Sequence, residues 1–147
     1  MNQISEIVQN FFNEYEGANN ALDLELLGSQ YADSFLFAGP AGALPIKRDD
    51  FIKILPKRSG FFKSIGLLSS KIIALEETRL DKSHFLVRVD FEMRFQKAES
   101  QVINEKISAT YILFQQDNKL QIVFQLDHQD LTQRIKELGL YPAEANE

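Results

Sequence analysis

Residues 103–128 read INEKISATYILFQQDNKLQIVFQLDH, and the rest of the chain is expected to be arranged around this segment. Two apolar-rich runs flank the pair Asp117-Asn118. Asp and Asn tolerate the positive φ angles that tight hairpin turns require, so the two runs are predicted to form antiparallel strands joined by a two-residue turn. The sequence therefore predicts a long β-hairpin in the C-terminal part of the chain.

The two-residue turn predicts which residues of the hairpin face each other. Leu113 is expected opposite Ile122, and Thr110 opposite Gln125. In this register Thr110 and Gln125 share one face of the hairpin, and His128 lies on the other face. Both faces carry apolar side chains, so we expect something to cover each side of the hairpin.

The remaining segments divide into helical and extended patterns. Apolar residues recur at helical spacing in four segments, at residues 4–16, 21–28, 49–66 and 130–138. Aromatic-rich or alternating apolar residues predict three further strands, at residues 31–37, 71–80 and 85–95. The turn formers at residues 39–45 are expected to make a loop, and Pro56 is expected to kink or split the third helix.

This order of elements predicts an α+β fold. Helices that precede an antiparallel meander must pack on one face of it, because each element has to bury its apolar side. We expect one domain over residues 1–147, with residues 142–147 as a frayed tail. A twisted sheet curled around a long helix leaves an apolar hollow, and such hollows are common ligand sites.

Composition and charge exclude several classes of function. The chain has no Cys and only two His, so neither a disulfide, a thiolate nucleophile nor a metal site is expected, and no cofactor is implied. A net charge of −5 argues against a nucleic-acid partner. No run approaches the ~20 apolar residues of a membrane span, and the N-terminus lacks the pattern of a signal peptide. A cytoplasmic protein without a membrane partner is expected.

The element order, the triplet YAD at residues 31–33 followed by GPAG at residues 39–42, and a last hairpin ending in His128 resemble the nuclear-transport-factor-2-like superfamily. This cystatin-like α+β superfamily includes SnoaL-type cyclases, ketosteroid isomerases and scytalone dehydratase, and the chain is most similar to its uncharacterised bacterial members. The resemblance implies a cone-shaped domain with N-terminal helices on a strongly curved, mainly antiparallel sheet. It also implies a homodimer through the outer face of the sheet.

The resemblance to ketosteroid isomerases can be followed residue by residue. Tyr15 matches the first-helix tyrosine that donates a hydrogen bond to the developing oxyanion in that family. The position of the family's general base is Gly39 here, and its second oxyanion donor falls near Thr110. Proton transfer needs a positioned base, so ketosteroid isomerase activity is not expected, and the hollow is expected to lack that carboxylate.

Several other side chains are candidates for the site. Asp33 shares a strand with aromatic residues, which favours a base with a raised pKa, or else it lies at the wet end of that strand and caps backbone amides. His128 is a second candidate base, with the alternative that Asp127 caps the last helix and Asp130 stabilises its first turn. The predicted ligand-binding residues are Tyr15, Tyr31, Asp33, Arg58, Thr110, Gln125 and His128.

Three functions remain open from the sequence. The first is a binding domain that encloses a small apolar or aromatic molecule. The second is a lyase, cyclase or isomerase that works without a metal, with Asp33 or His128 as the base and Tyr15 polarising a carbonyl. The third is a dimeric interaction module whose hollow is filled and binds no ligand.

Overall fold

The computed structural model describes residues 3–140, which form helices and one mixed sheet. The helices are α1 (Glu6–Ala21), α2 (Leu24–Gln30), α3 (Arg48–Ser64) and α4 (Leu131–Glu137). The strands are β1 (Tyr31–Gly39), β2 (Gly42–Lys47), β3 (Leu67–Arg79), β4 (His84–Ala98), β5 (Gln101–Gln116) and β6 (Lys119–Asp127). The sheet order is β2-β1-β6-β5-β4-β3, and all neighbours are antiparallel except β1 and β6. The predicted α+β class is confirmed.

Strands β5 and β6 form the predicted hairpin. Asp117 and Asn118 have φ angles of 53° and 68°, as a two-residue turn with two left-handed positions requires. Beyond the turn, Leu113 pairs with Ile122 as predicted.

One extra residue then changes the register. Ile112 pairs with Phe124 rather than with Val123, so Val123 forms a β-bulge in β6. From there to the end of the strand the predicted pairing is wrong by one residue, and Gln125 lies opposite Tyr111 instead of opposite Thr110. Because strand side chains alternate between faces, this shift moves Gln125 to the face that carries Tyr111.

The helices cover one face of the sheet, called the inner face here. Strand β4 shows why, since Phe85, Val87 and Val89 alternate with more exposed residues and pack into a core with α1, α2 and α3. A second core cluster joins α4 to the inner face through Ile135 and Phe95. The outer face of the hairpin is half-buried and is not covered by elements within residues 3–140, so the covering expected on this side stays a prediction.

Three features of these elements differ from the sequence predictions. The predicted loop at residues 39–45 contains a strand, because the chain turns at Pro40 and β2 pairs with β1 at the edge of the sheet, where Pro45 is tolerated. Helix α1 continues past Gly17 and ends where Leu22 adopts a φ of 53°. Pro56 lies inside α3 and does not split it.

Two further expectations concern the ends and the surroundings of the chain. The predicted tail at residues 142–147 lies outside the described residues. Within residues 3–140, no helix has the length and apolar character needed to cross a membrane.

Candidate functional site

A cavity of about 180 Å³ lies between the helices and the inner face of the sheet. Aromatic and aliphatic side chains such as Phe51, Leu55 and Phe91 form much of its wall. Asn20 and Arg58 also line it and are exposed, so the cavity reaches the surface beside α1 and α3.

Three tyrosines from three different elements meet in the wall of this cavity. The hydroxyl of Tyr15 lies 2.9 Å from the hydroxyl of Tyr31 and 3.0 Å from that of Tyr111. Tyr15 lies on the apolar stripe of α1, Tyr31 begins β1, and Tyr111 lies in the middle of β5. All three side chains are buried, and their rings also contact one another.

The bulge in β6 extends this cluster. The Tyr31 hydroxyl donates to Gln125 Oε1 at 2.7 Å, and Gln125 Nε2 donates to Asp127 Oδ1 at 3.1 Å. The result is one continuous series of contacts that we call the hydrogen-bond chain, made of Tyr111, Tyr15, Tyr31, Gln125 and Asp127. Every member lines the cavity, so a ligand there meets a polar strip in an otherwise largely apolar wall.

Burial keeps the three phenols neutral. Loss of solvation raises the pKa of Tyr15, and it raises the pKa values of Tyr31 and Tyr111 well above the ordinary value. For Tyr31 and Tyr111 the interaction with Tyr15 and the nearby negative charge of Asp127 act in the same direction. The phenols therefore stay protonated and act as hydrogen-bond donors and acceptors rather than as phenolates.

Four of the residues predicted from the sequence come together at the cavity. Tyr15, Tyr31 and Gln125 belong to the hydrogen-bond chain, and Arg58 lies at the opening. The Arg58 guanidinium carbon is 5.3 Å from the ring centroid of Phe62, within the range of a cation–π contact.

Asp33 does not reach the cavity. Its side chain is 92% exposed, and its Oδ1 lies 3.1 Å from Arg48 Nη2. The pairing of β1 with β6 is irregular between Tyr31 and Leu36, so the simple alternation that placed Asp33 beside the aromatic rings does not hold. The hypothesis that Asp33 is a base among aromatic rings therefore loses its structural premise, because the carboxylate is in water.

Thr110 and His128 also lie outside the cavity wall. Thr110 alternates with the buried residues Ala109 and Tyr111, which places it on the outer face. There its Oγ1 lies 2.7 Å from Nε2 of the exposed His128. The expectation that Thr110 shares a face with Gln125 is wrong because of the bulge, and the two predicted bases, Asp33 and His128, are both solvent-exposed.

Tyr111 was not among the site residues predicted from the sequence, and neither was Asp127. Asp127 was interpreted as the cap of the last helix, but Asp130 is the N-cap of α4 and accepts from Gln133 N at 3.1 Å. A Cβ on Gly39 would lie 3.9 Å from the backbone oxygen of Asp127, so the carboxylate-bearing residue stands beside the position that Gly39 leaves without a side chain. Asp127 thus brings a carboxylate to the cavity from a position other than that of the ketosteroid isomerase base.

Comparison with known proteins gives a fold but no relative by sequence. No protein-family model matches the chain, and no curated protein matches it. A nuclear-transport-factor-2-like protein of unknown function from Shewanella oneidensis MR-1 superposes with a TM-score of 0.66 and 13% identity, over 84% of this chain and 98% of that one. The chain has the nuclear-transport-factor-2-like fold.

Other solved structures with this fold are equally distant in sequence. A nuclear-transport-factor-2-like protein from Cytophaga hutchinsonii ATCC 33406 gives a TM-score of 0.65 and 16% identity, over 87% of this chain and 98% of that one. A nuclear-transport-factor-2-like protein with a cystatin-like fold from Novosphingobium aromaticivorans gives a TM-score of 0.67 and 9% identity, over 85% of this chain and 80% of that one. These identities establish the fold alone. The predicted resemblance and fold are confirmed, and function has to be argued from the cavity.

The hydrogen-bond chain makes a prediction about stability. Tyr31→Phe removes two hydrogen bonds, one to Gln125 and one to Tyr15, so it should lower the free energy of unfolding by about 2 kcal/mol. Tyr111→Phe is the matched control, because it deletes the same atom from an equally buried ring that makes one such bond; it should cost about 1 kcal/mol. Urea denaturation measures both. Equal losses, or a larger loss for Tyr111→Phe, would contradict the proposed connectivity.

Proposed function

We propose that this protein binds a small, mostly apolar or aromatic molecule in the cavity, with one polar group of that molecule against the hydrogen-bond chain. The observation that carries the proposal is the polar strip of Tyr15, Tyr31, Tyr111, Gln125 and Asp127 within an apolar wall. Ligand sites are typically built in this way, because the apolar wall supplies affinity and a few fixed polar groups set orientation.

The volume of the cavity limits the size of the ligand. Its volume of about 180 Å³ is below the ~300 Å³ at which drug-sized pockets begin. An apolar cavity of roughly 150 Å³ is known to accept benzene, so the space suits a single ring with a short substituent. The proposed ligand is therefore of that size, and Arg58 at the opening is a candidate contact for an acidic substituent that reaches the surface.

A cavity-filling variant tests the binding function. Ala109→Leu adds three carbon atoms to the wall, so it should abolish the saturable chemical-shift changes that single-ring aromatic alcohols cause in the wild-type protein. Ala43→Leu makes the same change at an exposed position of β2 and should leave the binding unchanged. Absence of saturable binding to the wild type would contradict the proposal, and so would unaltered binding to Ala109→Leu.

The position of Asp127 favours a second candidate function, that of an acid–base enzyme of the lyase, cyclase or isomerase type. A general base has to lie within hydrogen-bond reach of the substrate, and Asp127 lines the cavity whereas Asp33 and His128 are exposed. In this function Asp127 takes the role of the base, and the phenols hold the substrate.

Proton exchange in D₂O separates binding from catalysis. If the protein is such an enzyme, the wild type should accelerate deuterium incorporation next to the carbonyl of small hydroxyketones, followed by NMR. Asp127→Asn should slow that exchange by about 10²-fold or more, the usual contribution of a positioned base, whereas Asp33→Asn should stay within about twofold. Exchange by the wild type at the uncatalysed rate would leave binding as the function; undiminished exchange by Asp127→Asn would rule out this base.

We also propose a homodimer through the outer face of the sheet. Cross-strand partners share a face, and they form an apolar row across β2, β1, β6, β5 and β4. The row consists of Pro45, Leu36, Phe124, Ile112 and Leu86. No helix within residues 3–140 covers this face, and an uncovered apolar row is typical of a surface that pairs with a second copy. The dimer proposal does not depend on ligand binding in the cavity. It is therefore also compatible with the third hypothesis, a dimeric interaction module that binds no ligand.

Light scattering during size-exclusion chromatography tests the dimer. The wild type should elute with twice the mass of one chain, and Ile112→Glu should give the mass of a single chain, because a charge in the centre of the row cannot be solvated in the interface. Ile54→Glu replaces an equally apolar residue that is 55% exposed on α3 and should remain dimeric. A monomeric wild type, or a dimeric Ile112→Glu, would contradict the proposal.

A further inference from the structure

The direction of each hydrogen bond in the chain follows from chemistry. A carboxylate only accepts, so the group of Gln125 that faces Asp127 must be the amide nitrogen. Its amide oxygen then faces Tyr31, and this oxygen also only accepts. The proton of the Tyr31 hydroxyl is therefore used for Gln125.

The same count continues through the other two phenols. Each phenol has one proton, and the proton of Tyr31 is already directed at Gln125. The contact of 2.9 Å between Tyr15 and Tyr31 is a hydrogen bond only if Tyr15 donates. The contact of 3.0 Å between Tyr15 and Tyr111 then requires Tyr111 to donate. The chain has one direction, from Tyr111 to Asp127, and bonds aligned in this way strengthen one another.

This direction decides what the hydrogen-bond chain offers to a ligand whose polar group lies against it; the other polar residues that line the cavity are Glu16, Asn19, Asn20, Arg58, Ser59, Ser70, Ser108 and Gln129. All three phenol protons are used inside the chain, so the phenols present oxygen lone pairs, and the carboxylate of Asp127 presents another acceptor. Within the chain, the second N–H of Gln125 is the donor that remains. Building on the binding function proposed above, we infer that the cavity selects a ligand whose polar group donates a hydrogen bond, such as a hydroxyl or phenol, over an equally sized ligand that only accepts, such as a ketone.

The negative charge of Asp127 holds the direction in place. Asp127→Asn keeps the shape but supplies an amide that can donate, so the Gln125 amide can turn over and donate to Tyr31. The phenol protons can then run the other way and leave the Tyr111 hydroxyl free for an accepting ligand. Tyr31→Phe has a related effect by another route, because the Tyr15 proton loses its acceptor and can turn towards the ligand.

Three probes of nearly equal size and shape test the inference by NMR or calorimetric titration. They are 1-phenylethanol, which donates, acetophenone, which only accepts, and cumene, which does neither. The wild type should bind 1-phenylethanol on the order of tenfold more tightly than acetophenone, the effect of one hydrogen bond. In Asp127→Asn and in Tyr31→Phe, the affinity for acetophenone should come within about threefold of the affinity for 1-phenylethanol. Asp49→Asn, a matched change at an 86% exposed carboxylate, should keep the wild-type preference.

The outcomes separate this inference from the binding function on which it rests. Equal or tighter binding of acetophenone by the wild type would overturn the donor preference while leaving the binding function in place. An unchanged preference in both Asp127→Asn and Tyr31→Phe, each folded by its thermal transition, would also overturn it. If no probe binds saturably, the binding function fails and this inference fails with it.

Discussion

The pairing of Tyr111 with Gln125 across the bulge at Val123 is the constraint on which the cavity depends. Three buried phenols need partners, since an unpaired polar group away from water costs free energy comparable to a lost hydrogen bond. The bulge turns Gln125 and Asp127 towards these phenols and so closes a chain of partners. Without the extra residue, the same side chains would face the outer side of the sheet.

The hydrogen-bond chain also explains why the protein has a cavity with a definite polar side. The stripe of α1 buries Phe12 and Tyr15 against the inner face, which places a hydroxyl between two strands rather than at the surface. Tyr15 is the central member because it contacts both Tyr31 and Tyr111. A fold shared with distant proteins thus carries a local arrangement whose chemistry is set by a few residues.

Much of the architecture was predictable from local patterns. The hairpin followed from Asp117-Asn118, and the alternation of Phe85, Val87 and Val89 predicted a strand with one buried face. Strand β2 was not predictable, since glycine and proline dominate residues 39–45 and the strand is mostly exposed at the sheet edge.

The site was predictable only in part, because its geometry depends on which face of strand β6 each side chain occupies. Tyr15 and Tyr31 were identified, but a single bulged residue exchanges the two faces for everything that follows it. Val123 is β-branched and apolar like its neighbour Ile122, so local sequence does not mark it as the extra residue. Asp127 was assigned to the cap of the last helix because it lies just before the helical segment. Asp130, three residues later, is an equally suitable cap, and it is the cap in the structure. Tertiary packing chooses between them.

Five side chains form one directed hydrogen-bond chain in the wall of the cavity. Neutron diffraction from a crystal exchanged into D₂O can observe this direction, because deuterons on phenol oxygens and amide nitrogens become visible. We expect deuterons pointing from Tyr111 to Tyr15, from Tyr15 to Tyr31 and from Tyr31 to Gln125, with the Gln125 nitrogen facing Asp127. A Gln125 nitrogen facing Tyr31, or a Gln125 side chain on the outer face, would contradict it.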